Sequence, residues 1–228
     1  NQTAVVLADE NLIDPLLRSL PNSIPTANIT MGLPIRRTSI KNLVEILFSI
    51  QEGLIKYGDN SLYFKDVMQL LELPVLRKTL DKEDLEQIDK LHQEILKTNL
   101  KFLNFEGLLK RLPSVIKNNF QLLRKWNFKD RLFLKAYIQM SSEMLHSERI
   151  SDLESETLIL LIDILKKLDA FLEEHQSIEI SYSIFKRLLN EELVNSQIDF
   201  LGNPTEGRQI MGILETRLLD FKNLIFIH

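Results

Sequence analysis

The spacing of apolar positions changes twice along this chain. Near the start, Ala4-Val5-Val6-Leu7-Ala8 is a continuous apolar run that stops at Asp9-Glu10, and residues 27–31 form another before Gly32. At the far end, residues 210–214 and 224–227 are of the same kind. Short runs of this type, rich in Val and Ile and bounded by turn formers, predict buried strands. Between the two ends the period becomes that of a helix. Thr38 or Ser39 caps a predicted helix whose apolar positions are Leu43, Ile46, Leu47, Ile50 and Leu54, ending near Gly58. Asp81 begins a second, with Leu85, Ile88, Leu91 and Ile95 on one face, and a third is predicted over residues 128–144. A fourth starts at Ser151 with Glu154 three residues on, a capping box, and carries Leu158, Leu161, Ile162, Leu165, Leu168 and Leu172. Shorter helical segments at 66–71, 75–80, 105–109 and 182–194 complete a bundle, with Pro74 and Pro113 breaking the chain between them.

Apolar strands too short to stand alone must pair with something, so the two ends are expected to meet in one small sheet with the helical block inserted between them. The expected fold class is mainly α. One unit takes residues 1–35 and 196–228, and the helical insertion takes 36–195.

Composition narrows the chemistry. The chain has no cysteine, which removes disulfides, thiolate metal sites and cysteine nucleophiles together. No stretch approaches the roughly 20 uninterrupted apolar residues of a membrane span, and the first ten residues lack a basic, apolar signal pattern. The expectation is a soluble cytoplasmic protein with no membrane partner. Residues 4–10 have the letters of a Walker-B strand ending in Asp9 and Glu10, but also those of a strand followed by an acidic helix start. No G-x-x-x-x-G-K-[ST] occurs, so the chain has no phosphate-cradling loop of its own. His92, His146, His175 and His228 lie on separate segments without metal-site spacing, no serine sits in a G-x-S-x-G elbow, and acidic pairs such as Glu83-Asp84 and Glu173-Glu174 fit exposed helix faces. No catalytic, cofactor-binding or metal-binding residue is expected within the chain.

Charge distribution carries more information. Lys101, Lys110, Arg111, Lys117, Arg124, Lys125, Lys129, Arg131 and Lys135 face only Glu106 and Asp130 over the same stretch, a balance of +7 that leaves −11 for the rest of a chain of net charge −4. Phe102, Phe105, Phe120, Trp126, Phe128 and Phe133 interleave with these cations. Basic residues interleaved with aromatics are how single strands are tracked and their bases stacked, which makes Lys110, Arg111, Arg124, Lys125, Trp126, Lys129, Arg131 and Lys135 the DNA-binding candidates. The competing reading puts the aromatics in the core and the cations on a solvated face.

The run from Arg208 to Phe226, with Leu219, Asp220 and Phe221 at the end of its turn, resembles motif V of superfamily-1 DNA helicases of the UvrD and RecB kind. Together with Gly202-Asn203-Pro204-Thr205-Glu206-Gly207, the opening residues 4–10 and Asn28-Ile29-Thr30-Met31-Gly32, it looks like the AddB-like proteins of Bacteroidetes-type bacteria, helicase-like chains of the PD-(D/E)XK nuclease family. The matching motifs cover about a quarter of the chain. The resemblance implies a piece of the second RecA-like motor domain carrying a helical 2B-type insertion. It also implies a parent protein that acts on single-stranded DNA or duplex ends, together with its remaining domains and an AddA-like helicase/nuclease subunit, in end resection and double-strand break repair. ATP and Mg²⁺ are implied only for that full-length parent. By the same resemblance, Glu215, Thr216, Arg217 and Asp220 occupy the motif V-like turn that faces DNA or the motor cleft, Arg217 being the cation suited to a phosphate. Gly212, Leu214, Arg217 and Leu218 stand where active helicases carry DNA-contacting and nucleotide-coupling groups. The expected function is therefore a non-catalytic DNA-binding and structural region of a helicase–nuclease subunit. The alternative is a helical protein–protein interaction module without DNA contact.

Overall fold

Two passages of chain separated by the whole helical stretch build one sheet. The computed structural model describes residues 3–9, 12–19, 27–29, 32–35, 38–98, 100–198, 208–213, 216 and 220–228. In order, these form β1 (Thr3–Leu7), α1 (Ile13–Ser19), β2 (Ala27–Ile29), β3 (Leu33–Pro34), α2 (Ser39–Tyr57), β4 (Ser61–Tyr63), α3 (Phe64–Leu71), α4 (Pro74–Arg77) and α5 (Lys82–Thr98). There follow β5 (Phe102–Asn104), α6 (Phe105–Leu109), α7 (Ser114–Asn118), a 3-10 turn (Phe120–Leu123), α8 (Leu132–Leu145), α9 (Asp152–Glu174), α10 (Tyr182–Asn195), β6 (Gln197–Ile198), β7 (Arg208–Gly212) and β8 (Asn223–Ile227). The fold is mostly helical, with a small sheet drawn from both chain ends. Contacts divide it into two compact units, one of Asn1–Pro34 with Gln197–His228 and one of Ile35–Ser196.

In the first unit the strand order is β2-β7-β1-β8, and every pairing is parallel. Val5 lies between Ile210 and Ile225, and the central position of β1 buries Ala4 and Val6 completely. β7 and β8 follow one another in sequence, yet β1 separates them in space. Both run parallel to β1. Asn28 and Gln209 sit opposite each other on β2 and β7, and the Asn28 side-chain amide donates to Gln209 Oε1 at 2.6 Å inside the sheet. β3 and β6 add a two-stranded antiparallel ribbon. On β8, Leu224, Ile225 and Phe226 are 48%, 50% and 61% exposed, so an apolar edge strand stands open on both faces.

The second unit is a helical bundle whose elements follow from their caps and stripes. α2 begins after Thr38 and buries Ile40, Leu43, Val44, Leu47, Phe48, Ile50 and Leu54 on one face. It stops at Gly58, whose φ of 103° favours a residue without Cβ. Asp81 accepts from the Asp84 N–H and so starts α5. α8 starts at Leu132 rather than near residue 128, because side chains hold residues 127–131 in a loop: Asn127 Oδ1 accepts from the Lys129 N–H and Asp130 Oδ1 from the Leu132 N–H. Arg131 closes this loop at a φ of 54°, the left-handed region, and is the one non-glycine residue there among the described residues. The block also holds strands that its helical period hides. β4 and β5 pair antiparallel, and each runs straight into a helix, α3 and α6, with the Asn104 side chain accepting from the Gly107 N–H at the second start.

α9 carries the reciprocal cap expected at Ser151. The Ser151 hydroxyl accepts from the Glu154 N–H, and the Glu154 carboxylate accepts from the Ser151 N–H. Lys78 Nζ donates to the same carboxylate at 2.6 and 2.8 Å, which ties α9 to the end of α4. Burial acts to raise the Glu154 carboxyl, but Lys78 and the two Ser151 donors outweigh it together and hold the group below its ordinary value of 4.5. A depressed carboxylate stabilises the fold above its unfolded value, and the contribution disappears as pH falls through the folded one. Glu154→Gln should therefore lower stability by about 1 kcal/mol at neutral pH. The gap from wild type should narrow as pH falls below 4.5 and through the carboxyl's lower folded value. Urea midpoints at a series of pH values measure this, and a gap that widens in acid contradicts it.

Candidate nucleic-acid interface

The cations of the basic stretch do not form one continuous field. Arg111 pairs with Glu94, Arg124 with Glu106 at 3.1 Å, and Lys125 with Asp59 at 3.1 Å. The Arg124 guanidinium also lies over the rings of Phe105 and Phe120, at 4.9 and 5.3 Å. Lys110, Lys129 and Lys135 are exposed and stand outside the ion pairs among the described residues. Arg131 turns inward. One guanidinium nitrogen donates to the Asp169 carbonyl at 2.8 Å and lies 3.2 Å from the Asp169 carboxylate, while the other faces Glu173 at 3.6 Å. It links the start of α8 to the end of α9, and its donors are directed at that helix instead of at solvent.

The interleaved aromatics divide in the same way. Phe105, Trp126 and Phe133 are buried, Phe120 and Phe128 are half-buried, and Phe102 is exposed. Trp126 stacks on Phe133 with ring centres 4.6 Å apart and meets Phe48 and Phe185 edge-on. Its indole N–H donates to the Leu122 carbonyl. Trp126, expected to offer a face to a base, is 6% exposed and packed within this aromatic cluster, and it also lines the groove described next.

Around the turn that follows Trp126 there is nonetheless a groove of about 930 Å³. Its lining comes from Lys125, Trp126, Asn127, Phe128, Lys129 and Arg131 in one stretch of chain, and from Leu172 near the end of α9 with residues 176–180 between α9 and α10 in another. Asp59 reaches the rim beside Lys125. Three of the predicted cations thus meet at one concavity, whereas Lys110, Arg111, Arg124 and Lys135 lie outside it. Residues 176–180 drew no attention in the sequence because their part in the groove depends on where α9 ends.

Gln51 is the other residue that sequence reasoning missed. It is 1% exposed on α2, donates from its amide nitrogen to the carbonyls of Leu122 and Arg124, and accepts from the Trp126 N–H. All three bonds hold the chain on either side of Lys125, so Gln51 sets the rim of the groove. A polar residue beside Leu47, Ile50 and Leu54 on an apolar stripe was the available signal.

In the motif V-like segment, Thr216 donates from its hydroxyl to the Ile213 carbonyl at 2.6 Å and Asp220 is exposed. Glu215, Arg217 and Leu219 lie outside the described residues, as do Glu10 and residues 202–207. Asp9 is exposed, and among the described residues no three His, Asp or Glu side chains gather into a metal site. No helix among the described residues is long and apolar enough to cross a membrane.

No family model and no curated protein matches this sequence.

Proposed function

We propose that this chain is a non-catalytic structural and DNA-contacting region of a helicase–nuclease subunit, of the AddB-like kind that acts in DNA end resection and break repair. The observation that carries the reading is the all-parallel sheet drawn from both chain ends, in which the motif V-like stretch supplies strands on both sides of β1. Parallel sheets are normally covered on both faces. The open apolar edge of β8 is therefore a surface for further domains of a parent protein or an AddA-like subunit, with ATP and Mg²⁺ handled elsewhere in that assembly.

Fluorescence anisotropy with a labelled forked DNA tests the DNA contact. Binding at low salt should weaken steeply as salt is added, because phosphate contacts release counterions. It should also fall in the Lys125→Glu/Lys129→Glu double variant. No binding at low salt defeats the DNA-contacting half of the reading.

One observation favours a second reading, a helical protein–protein interaction module without DNA contact. Arg111, Arg124, Lys125 and Arg131 already face carboxylates, which reduces the field available to a phosphate backbone. Salt-insensitive capture of a protein partner, with no DNA binding, is the outcome it requires.

A further inference from the structure

The groove between the 125–131 loop and the 176–180 segment combines three properties that select among nucleic acids. Its free cation, Lys129, stands on a loop stiffened by Asn127 and Asp130, so the charge is offered from a fixed backbone. The same groove is lined by Phe128, half-buried and packed against Phe133 and Phe185 with the rest of its ring toward the groove's lining, and by Ile178, 51% exposed, which give an aromatic and an aliphatic surface for a flat ring. Asn127 and Gln176 add amide groups to the same lining. Against these, Asp59 and Glu179 also line the groove, and Asp59 is engaged by Lys125. The electrostatic attraction is therefore local and confined to the Lys125–Lys129 side.

Resting on the DNA-contacting reading, we infer that this groove holds a short run of single-stranded nucleic acid, with phosphates beside Lys125 and Lys129 and an unpaired base against Phe128 and Ile178. A duplex keeps its bases sealed within the stack, so it has no ring to place on Phe128 or Ile178 and only its backbone would meet the rim. Unpaired bases stack on aromatic and apolar side chains without sequence preference, and a basic edge tracks the backbone. With two cations in reach, the salt dependence is shallow: about two phosphates give a slope near −1.4 in log affinity against log salt for single strands.

The test uses the full 228-residue chain and a labelled oligothymidylate of about 12 nucleotides, with a blunt duplex of the same length as comparison. Expected are tighter binding to the single strand and the shallow salt slope. Lys129→Glu and Ile178→Asp should each weaken binding about tenfold, in line with the loss of one phosphate contact or one stacked base. Lys90→Glu, an exposed cation on α5 away from the groove, should match wild type. Circular dichroism melts of the two groove variants should overlay that of wild type, since both positions are exposed. Binding of the duplex as tightly as the single strand, or binding untouched by both groove variants, overturns the inference and leaves the broader DNA reading in place. Absence of binding to either DNA at low salt overturns both.

Discussion

Trp126→Ala lowers the stability of the helical unit by about 4 kcal/mol, the range for deleting a large ring from a packed core. Trp126 is 6% exposed and meets rings from three helices: Phe133 of α8 by stacking, Phe185 of α10 edge-on, and Phe48 of α2 edge-on. The bundle closes around this ring, so an alanine leaves a cavity that no single side chain can refill, and it also strips the Leu122 carbonyl of its indole donor. Trp126→Phe keeps the stacking and loses mainly that hydrogen bond, and should be milder by at least half. Trp126 is the only tryptophan of the chain, so far-UV circular dichroism in urea has to follow unfolding of the variants. A loss below about 1 kcal/mol for the alanine variant would mean that the ring is not a core residue.

Gln51→Leu is the second large effect, with an expected loss of about 3 kcal/mol. Leucine preserves volume but leaves two backbone groups, the Arg124 carbonyl and the Trp126 N–H, without their partner, and takes from the Leu122 carbonyl one of its two donors, the Trp126 indole N–H remaining. An abandoned buried hydrogen-bonding group costs about 1–3 kcal/mol, far more than a satisfied bond contributes. Water entering beside Arg124, which is exposed, relieves part of the penalty, so the figure lies below the upper end for two abandoned buried groups. The same substitution frees the chain around Lys125, so hydrogen exchange at residues 122–126 should accelerate more than exchange in the middle of α9. Uniform acceleration through the bundle would show global destabilisation without the local clamp.

Both effects concern residues whose importance is unequally legible along the chain. The stripes of α2, α5 and α9 follow from spacing alone, and so do their ends: Gly58, Asp81 and Ser151 with Glu154 act within one helical turn of their own sequence position. The apolar terminal runs likewise declare themselves as strands. β4 and β5 escape notice because three residues are too few to establish a period of two, and their pairing joins points on either side of three helices. α8 begins late because Asn127 and Asp130 capture backbone N–H groups that a helix would need, a local competition that the apolar pattern over 128–144 does not reveal.

The sequence by itself determined that the chain is mostly helical, that its ends carry strands, and where the principal helices are capped, because each of these rests on interactions between near neighbours. Only the tertiary structure decided that β1 lies between β7 and β8, since strand order depends on which distant runs pair. It also decided the fate of the basic stretch. A balance of +7 counts charges by position along the chain, whereas the field depends on what stands opposite in space. Asp59, Glu94, Asp169 and Glu173 come from α5, α9 and the turn after α2 to meet Lys125, Arg111 and Arg131. The aromatics were divided by the same process, Trp126 buried, Phe128 half-buried and Phe102 exposed, because burial is set by the neighbours that the fold brings to each ring.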